Sequence, residues 1–185
     1  MRWLQARPSE TRVSDLVHTR GFVNVGIDHD TAEFAVESIR RWWHESGKAL
    51  SPGKSELLIT ADGGGSHGVR NRFWKKKLQE FATEEHLTIT VAHDPPATSK
   101  WNTIEHRLFS FISLNWRAKA LTSLEVVLEL ISQTTTTEGL TVTAVKESQT
   151  SPTGLKVTDA DLAGLHLLTE AFHGEWNDTI KPQER

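Results

Sequence analysis

The chain has 185 residues, 37% of them hydrophobic and 24% charged, which is typical of a folded globular protein and excludes wholesale disorder. The net charge of −3 creates no general attraction to nucleic acid, so any DNA affinity must come from local basic patches. The lack of cysteine excludes disulfides, thiolate metal sites and thiol nucleophiles. No apolar run approaches the ~20 residues of a membrane span, and the first residues lack a signal-peptide core, so we expect a cytoplasmic protein.

The hydrophobic pattern predicts strands that alternate with helices. Two short strands around a turn are predicted over residues 13–27. The next helix is expected to begin at a capping box of Asp30 and Glu33 and to end at Gly47. The continuous apolar run at residues 57–61 is typical of a strand buried on both faces. The remaining predicted elements are a helix over 70–85, a strand over 87–92, helices over 104–116 and 121–132, a strand over 140–145 and a last helix over 159–172. This order indicates an α/β or mixed fold.

The glycine-rich stretch ITADGGGSHG, residues 59–68, has two interpretations. From Gly63 it matches the dinucleotide pattern G-x-G-x-x-G, which by itself is a weak signal. From Asp62 it is a carboxylate at the end of a strand, where α/β sheets bind ligands, followed by a loop that lets a metal or a nucleic-acid backbone approach. Asp62 would repel a pyrophosphate, so the second interpretation explains more. A plain Asp-Gly turn stays open as an alternative.

A second carboxylate lies at the start of the helix predicted over residues 104–116. Glu105 shares the flank of its apolar face with Phe109 and Ile112, so it points partly inward. An acid there also suits the helix dipole, or an ion pair with Lys100. Carboxylates from a helix and from a strand end can nevertheless share a divalent cation, and oxygen ligands suit Mg²⁺ or Mn²⁺.

Four segments of the chain, residues 21–43, 60–82, 93–117 and 172–182, resemble the DDE transposases of bacterial insertion sequences. Within that group they are similar to the Rhodopirellula-type transposase DDE domain family. The resemblance implies an RNase H-like fold and a carboxylate triad that holds two Mg²⁺ or Mn²⁺ ions for DNA cleavage and strand transfer. Asp62 matches the second acid of the triad and Glu105 the third.

The same resemblance implies which partners the protein has. These are DNA, as transposon ends and target, and a second copy of the chain or a full-length transposase. No membrane partner is expected. The protein would be associated with the nucleoid when it is bound to DNA.

The first acid of the triad has no counterpart, because MRWLQARPSETR contains no Asp. We therefore expect a family member truncated at its N-terminus that lacks the central first strand and is weakly active or inactive. Residues 1–11 would be a non-matching leader, 12–133 a partial catalytic core and 134–185 a small C-terminal α+β extension. Asp15, Asp28 and Asp30 are conceivable substitute ligands, although Asp15 also suits a strand surface and Asp30 a helix cap. Losing the strand would leave two sheet edges unpaired.

A further departure from the family pattern is Asp178, where the family has tyrosine. A buried aromatic replaced by an acid is expected to destabilise the protein.

Basic and aromatic residues near the two acids are candidates for DNA contacts. Phosphate contacts dominate DNA affinity, and aromatic rings stack on bases. A solvated basic helix face is the simpler interpretation for part of this set, and a non-catalytic DNA-binding or oligomerisation module is the alternative function. His93 and His106 are candidates for proton transfer, although a lone histidine beside a helix is more often a surface or packing residue. The predicted DNA-binding residues are Arg70, Arg72, Lys75, Lys100, Trp101 and Asn102.

Overall fold

The computed structural model describes residues 10–26, 30–95, 98, 108, 110–116, 119, 123–148 and 155–184. Its strands are β1 (Glu10–Asp15), β2 (Arg20–Gly26), β3 (Glu56–Asp62), β4 (Thr88–Asp94), β5 (Thr141–Glu147), β6 (Leu167–Thr169) and β7 (Asn177–Ile180). Its α-helices are α1 (Ala32–Trp42), α2 (Lys48–Leu50), α3 (Arg72–Glu85), α4 (Ser110–Trp116), α5 (Leu124–Ser132) and α6 (Asp159–Ala163).

The strands form two mixed sheets. The first sheet has the order β1-β2-β5, with β1 antiparallel and β5 parallel to β2. The second has the order β3-β4-β7-β6, with β3 parallel to β4 and the other pairs antiparallel. Among the described strands, β1 and β5 end the first sheet and β3 and β6 end the second, so each of these four pairs with one neighbouring strand only. The fold is therefore mixed α/β, compatible with the RNase H-like class expected from the sequence.

The predicted hairpin is confirmed, and its turn accounts for Asp15. The Asp15 carboxylate accepts hydrogen bonds from the backbone N–H groups of Val17 and His18, both at 3.0 Å. Its second oxygen lies 2.9 Å from Nδ1 of the His18 ring. Thr19 completes the turn with a φ of 53°. Because local bonds occupy this carboxylate, Asp15 is a turn residue and not a substitute metal ligand.

The helix after β2 differs from its prediction at both ends. Its N-cap is Thr31, whose Oγ accepts from the N–H of Phe34 at 3.1 Å, and not Asp30. Gly47 does not end it, because the chain continues through a π-helical turn, Trp43–Gly47, into α2. A Cβ on Gly47 would lie 2.8 Å from the Trp43 ring and 3.1 Å from the Trp42 ring, so glycine makes room for both indoles.

Helices α1 and α3 pack side by side over one shared core. Lys77 of α3 pairs with Glu33 near the start of α1, at 2.9 Å. Glu85 at the end of α3 bonds to Trp43 just after α1, at 3.1 Å. The two helices therefore run in the same direction. The core beneath them draws on both sheets and includes Phe22, Ile39, Trp74, Phe81, Ile89 and Val91.

Each sheet has a second face that points away from the core beneath α1 and α3, and these two faces differ in how deeply their residues are buried. Val23 and Val25 of the first sheet pack against Leu108, Ile112 and Ile131 in a second core. On the second sheet the corresponding face is open, with Leu58 66% and Leu168 50% exposed. The prediction that β3 is buried on both faces is therefore wrong, and its burial alternates along the strand.

The C-terminal part of the chain contributes strands to both sheets. The predicted helix over residues 159–172 ends at Ala163, and β6 and β7 follow it. Buried Gln79 of α3 holds this segment, accepting from the N–H of His166 and donating to the carbonyl of Lys181, both at 2.7 Å. Because β5 joins the first sheet and β7 the second, each sheet combines strands from both sides of the boundary predicted near residues 134–139.

Candidate active site at the carboxyl end of the parallel strands

Two carboxylates stand side by side where β3 and β4 end. Asp62 is the register partner of Asp94, so both side chains point to the same face of the sheet, about 4.8 Å apart at the backbone. Asp62 is exposed and Asp94 half-buried. Burial raises the pKa of Asp94, the charge of Asp62 raises it further, and His93 opposes the shift. A bound cation would relieve this repulsion, which makes the pair suitable for metal binding.

The loop after Asp62 needs glycine for steric reasons. A Cβ on Gly63 would lie 2.9 Å from the carbonyl oxygen of Asp94 and 3.3 Å from the ring of Trp176. Gly65 has a φ of +75° and begins the 3₁₀ turn Gly65–His67. The loop therefore passes close to the end of β4 and leaves Asp62 open to the outside.

The start of α3 is capped from within the protein. Asn71 Oδ1 accepts from the N–H groups of Phe73 and Trp74, at 3.0 and 3.2 Å, and its Nδ2 donates to the carbonyl of Ser66. A pyrophosphate needs such N–H groups to be free, and it would also meet two carboxylates here. The geometry therefore argues against the dinucleotide interpretation of the glycine loop.

The two histidines of the site have different surroundings. His93 is buried, with Nδ1 3.2 Å from the carbonyl of Trp176 and Nε2 2.9 Å from the carbonyl of His67. It therefore ties β4 to the turn before β7 and to the glycine loop, which leaves neither nitrogen for proton transfer. Burial lowers the pKa of His67, against the raising effect of Asp30 and Asp62. Burial therefore favours the neutral form of His67, whereas the charges of the two acids favour the protonated form.

Asp30 is close enough to His67 to influence its pKa, but it does not form a group of three potential metal ligands with the described residues of this site. Among the described residues, three potential ligands come within 4.8 Å of one another only at His44, Glu84 and Glu85. That group lies near the opposite ends of α1 and α3, and Lys48 already binds Glu85 at 2.9 Å. It is therefore a charge network that joins two helices.

Several predicted site residues lie outside the described residues. Their roles as metal ligand, substitute ligand, proton-transfer group or DNA contacts stay predictions. These residues are Asp28, Lys100, Trp101, Asn102, Glu105 and His106.

The basic residues after the glycine loop are mostly engaged in ion pairs. Arg72 pairs with Asp159. Lys75 Nζ lies 2.7 Å from the carboxylate of buried Asp178, and the two side chains are only 17% and 7% exposed. Asp178 is buried as the sequence suggested, but Lys75 compensates its charge. Arg70 is exposed and makes no ion pair with any described residue, so it is the predicted contact best placed to meet a phosphate.

An open cavity of ≈ 620 Å³ adjoins the glycine loop. Two of its lining residues, Glu175 and Trp176, were not predicted from the sequence, although they belong to a segment that carries the family resemblance. They reach the site because β7 pairs with β4, which no local pattern reveals. The lining residues are Gly63, Gly64, Gly65, Gly68, Val69, Arg70, Asn71, Glu175 and Trp176.

The comparisons with known proteins agree with the transposase resemblance. Within the described part of the chain, no helix is long and apolar enough to cross a membrane. None of the curated proteins and none of the solved structures matches the sequence. The family model described as Rhodopirellula transposase DDE domain matches residues 9–182. This match spans nearly the whole chain, which therefore belongs to the Rhodopirellula transposase DDE domain family.

Proposed function

We propose that this chain is part of the catalytic domain of a transposase that cleaves DNA and transfers the cut strand. The observation that carries the proposal is the pairing of Asp62 with Asp94 at the carboxyl end of two parallel strands, before a loop without bulky side chains. Ligands bind at this position in open α/β sheets. Membership of the transposase family supports the reaction class.

In this proposal Asp62 is a metal ligand and Glu105 is its partner from the following helix. The carboxylate oxygens fit hard divalent cations such as Mg²⁺ or Mn²⁺. Two such ions, when bound, activate a water or a DNA 3′-hydroxyl and stabilise the leaving oxygen. The glycine loop lets the DNA backbone approach Asp62, and Arg70 binds a neighbouring phosphate.

The proposal includes a further strand between β1 and β3. Among the described strands, both are edge strands of their sheets, as β5 and β6 also are, but the helices that pack on β1 and β3 share one core. A strand antiparallel to β1 and parallel to β3 would satisfy both edges. Residues 1–9 contain no acidic side chain, so in this proposal another polypeptide supplies the strand together with the missing acid. Without that acid we expect only weak DNA cleavage.

The alternative is a non-catalytic module that binds DNA or a full-length transposase. The open edges of β1 and β3 favour it, because unpaired strands readily take up a strand from another chain. Such a module binds DNA equally well with and without Mg²⁺. A catalytic domain gains affinity from the metal, because the cation offsets the repulsion between Asp62 and the phosphates.

The test is nicking of supercoiled plasmid in Mn²⁺ by the parent chain, by Asp62→Asn and by Asp159→Asn. Asp159 is the matched control, because it is an exposed acid that pairs with Arg72 on the surface. We expect nicking by the parent and the control and none by Asp62→Asn. If no protein nicks and DNA affinity is indifferent to Mg²⁺, the module is the better description.

A further inference from the structure

We propose that Trp176, whose ring lies beside Gly63, the residue that follows Asp62, forms a stacking platform for an unpaired DNA base. The inference rests on the proposed function, since it assigns a subsite for the DNA strand that is cut. It concerns the cavity between the glycine loop and the turn before β7, where Glu175 and Trp176 have no role in the proposed function.

The backbone of Trp176 is fixed firmly enough to serve as a platform. Its carbonyl accepts from the backbone N–H of His93 at 2.9 Å and also faces the His93 ring. Its own N–H donates to the carbonyl of His173 at 2.8 Å. The residue is therefore anchored to the end of β4 before any ligand arrives, which lowers the entropic cost of stacking.

The position of the ring places a stacked base at the cleavage site. The indole is close enough to Gly63 that a Cβ there would lie 3.3 Å from it, and Gly63 directly follows Asp62. The ring is half-buried and faces the open cavity. A base stacked on Trp176 thus holds its own phosphate close to Asp62.

The size of the cavity suits one nucleotide. Its ≈ 620 Å³ lies within the range of roughly 300–1,000 Å³ found for small-ligand sites. Four glycines line it, so backbone forms much of the wall and leaves room for a planar ring.

The charges of the cavity orient the nucleotide. Arg70 provides a cation for phosphate at one side. Glu175 stands beside Trp176, and a hydrogen bond from the His173 ring is the main cause that lowers the pKa of its carboxyl group. An ionised carboxylate repels phosphate and accepts the amino N–H of a base. The base therefore lies towards Glu175 and Trp176, and the phosphate towards Arg70.

The test compares two DNAs, a blunt duplex and the same duplex with a single-stranded 3′ overhang that carries 2-aminopurine. Binding is measured by fluorescence anisotropy for the parent, Trp176→Ala and Trp176→Phe. We expect Trp176→Ala to weaken overhang binding by roughly 5- to 150-fold, the range measured for the loss of one stacked base. Blunt-duplex binding changes less than about twofold, because its bases stay paired. Trp176→Phe restores most of the affinity, and 2-aminopurine emission reports the stacking directly.

Phe172→Ala is the matched control, because Phe172 is an aromatic residue of the same turn that is 78% exposed and outside the cavity lining. It should bind both DNAs like the parent. If the parent binds both DNAs and Trp176→Ala binds the overhang DNA as tightly as the parent does, the proposed base subsite is overturned, but the proposed function is not. Equal losses on both DNAs with a lowered melting temperature show that Trp176 only packs on Gly63, and also overturn it. A parent that binds neither DNA overturns the proposed function as well.

Discussion

Lys75 and Asp178 form an ion pair, 2.7 Å long, between α3 and β7, and the rest of the protein largely encloses it. The pair explains how an acid occupies a position where the family resemblance leads one to expect tyrosine. It also explains why Lys75, predicted from the sequence to contact DNA, faces the interior. The pair therefore joins the C-terminal strand to the helix that follows the glycine loop.

Breaking this pair on one side is expected to be costly. Lys75→Ala leaves a buried carboxylate without compensation and should lower the free energy of unfolding by about 3–5 kcal/mol. The double variant Lys75→Met with Asp178→Tyr should be nearly neutral, since an apolar pair removes both charges. Urea unfolding measures both effects. Lys76→Ala is the control, because its partner Asp161 is partly exposed, and it should cost less than about 1 kcal/mol. Equal costs for Lys75→Ala and Lys76→Ala would contradict this account.

The stability of the protein should fall in acid partly through Glu85. Burial alone raises the pKa of this carboxyl, but hydrogen bonds from Lys48, His44 and Trp43 outweigh it and lower the pKa to about 2, from 4.5. A carboxyl with a lowered pKa in the folded state contributes stability above the unfolded value of 4.5. It loses this stability as the pH falls towards 2.

Glu85→Gln should accordingly lower the free energy of unfolding by on the order of 2 kcal/mol at pH 7, less if solvent screens the exposed His44 and Lys48. The difference from the parent should vanish near pH 2, as measured by denaturant unfolding across pH. The neighbouring Glu84, 45% exposed, is the control, and Glu84→Gln should change little. A difference that stays constant across pH would show that the charge of Glu85 is not the cause.

The glycine loop offers a matched pair of substitutions. Gly63→Ala places a methyl group 2.9 Å from the carbonyl oxygen of Asp94, and the neighbouring strand end must shift. We expect a loss of roughly 1–3 kcal/mol, which corresponds to about 2–12 °C in melting temperature for a chain of this size. Gly64→Ala meets no atom within 4 Å and has an extended backbone, so its melting temperature should equal or slightly exceed that of the parent. Equal melting temperatures for the two variants would refute the close approach at Gly63.

The open face of the second sheet predicts a contrast between two aliphatic residues. Ile89→Ala, at a position with 0% exposure, should cost about 2–5 kcal/mol. Leu58→Ala, at a position 66% exposed on the adjacent strand, should cost less than about 1 kcal/mol. Denaturant unfolding of the isolated chain measures both. A large loss for Leu58→Ala would show that something covers this face in solution.

The local sequence pattern was sufficient to predict much of the secondary structure and one residue of the candidate site, Asp62. The alternation of apolar residues located the hairpin, and the apolar run before Asp62 located β3 and placed an acid at its end. Both signals depend on neighbours in the chain. The same reasoning failed for the C-terminal helix, because β6 and β7 gain their stability from pairing with each other and with β4.

What the sequence by itself determined about this protein is the family, the alternating elements and the acid Asp62. The tertiary structure decided that Asp94 stands beside Asp62, that Lys75 turns inward to Asp178 and that Trp176 lines the cavity. These relationships join residues far apart in the chain, such as His93 and Trp176 at a separation of 83 positions. They depend on strand register and on the pairing of β7 with β4. Contacts between distant parts of the chain stabilise this pairing, so no short stretch of sequence encodes it.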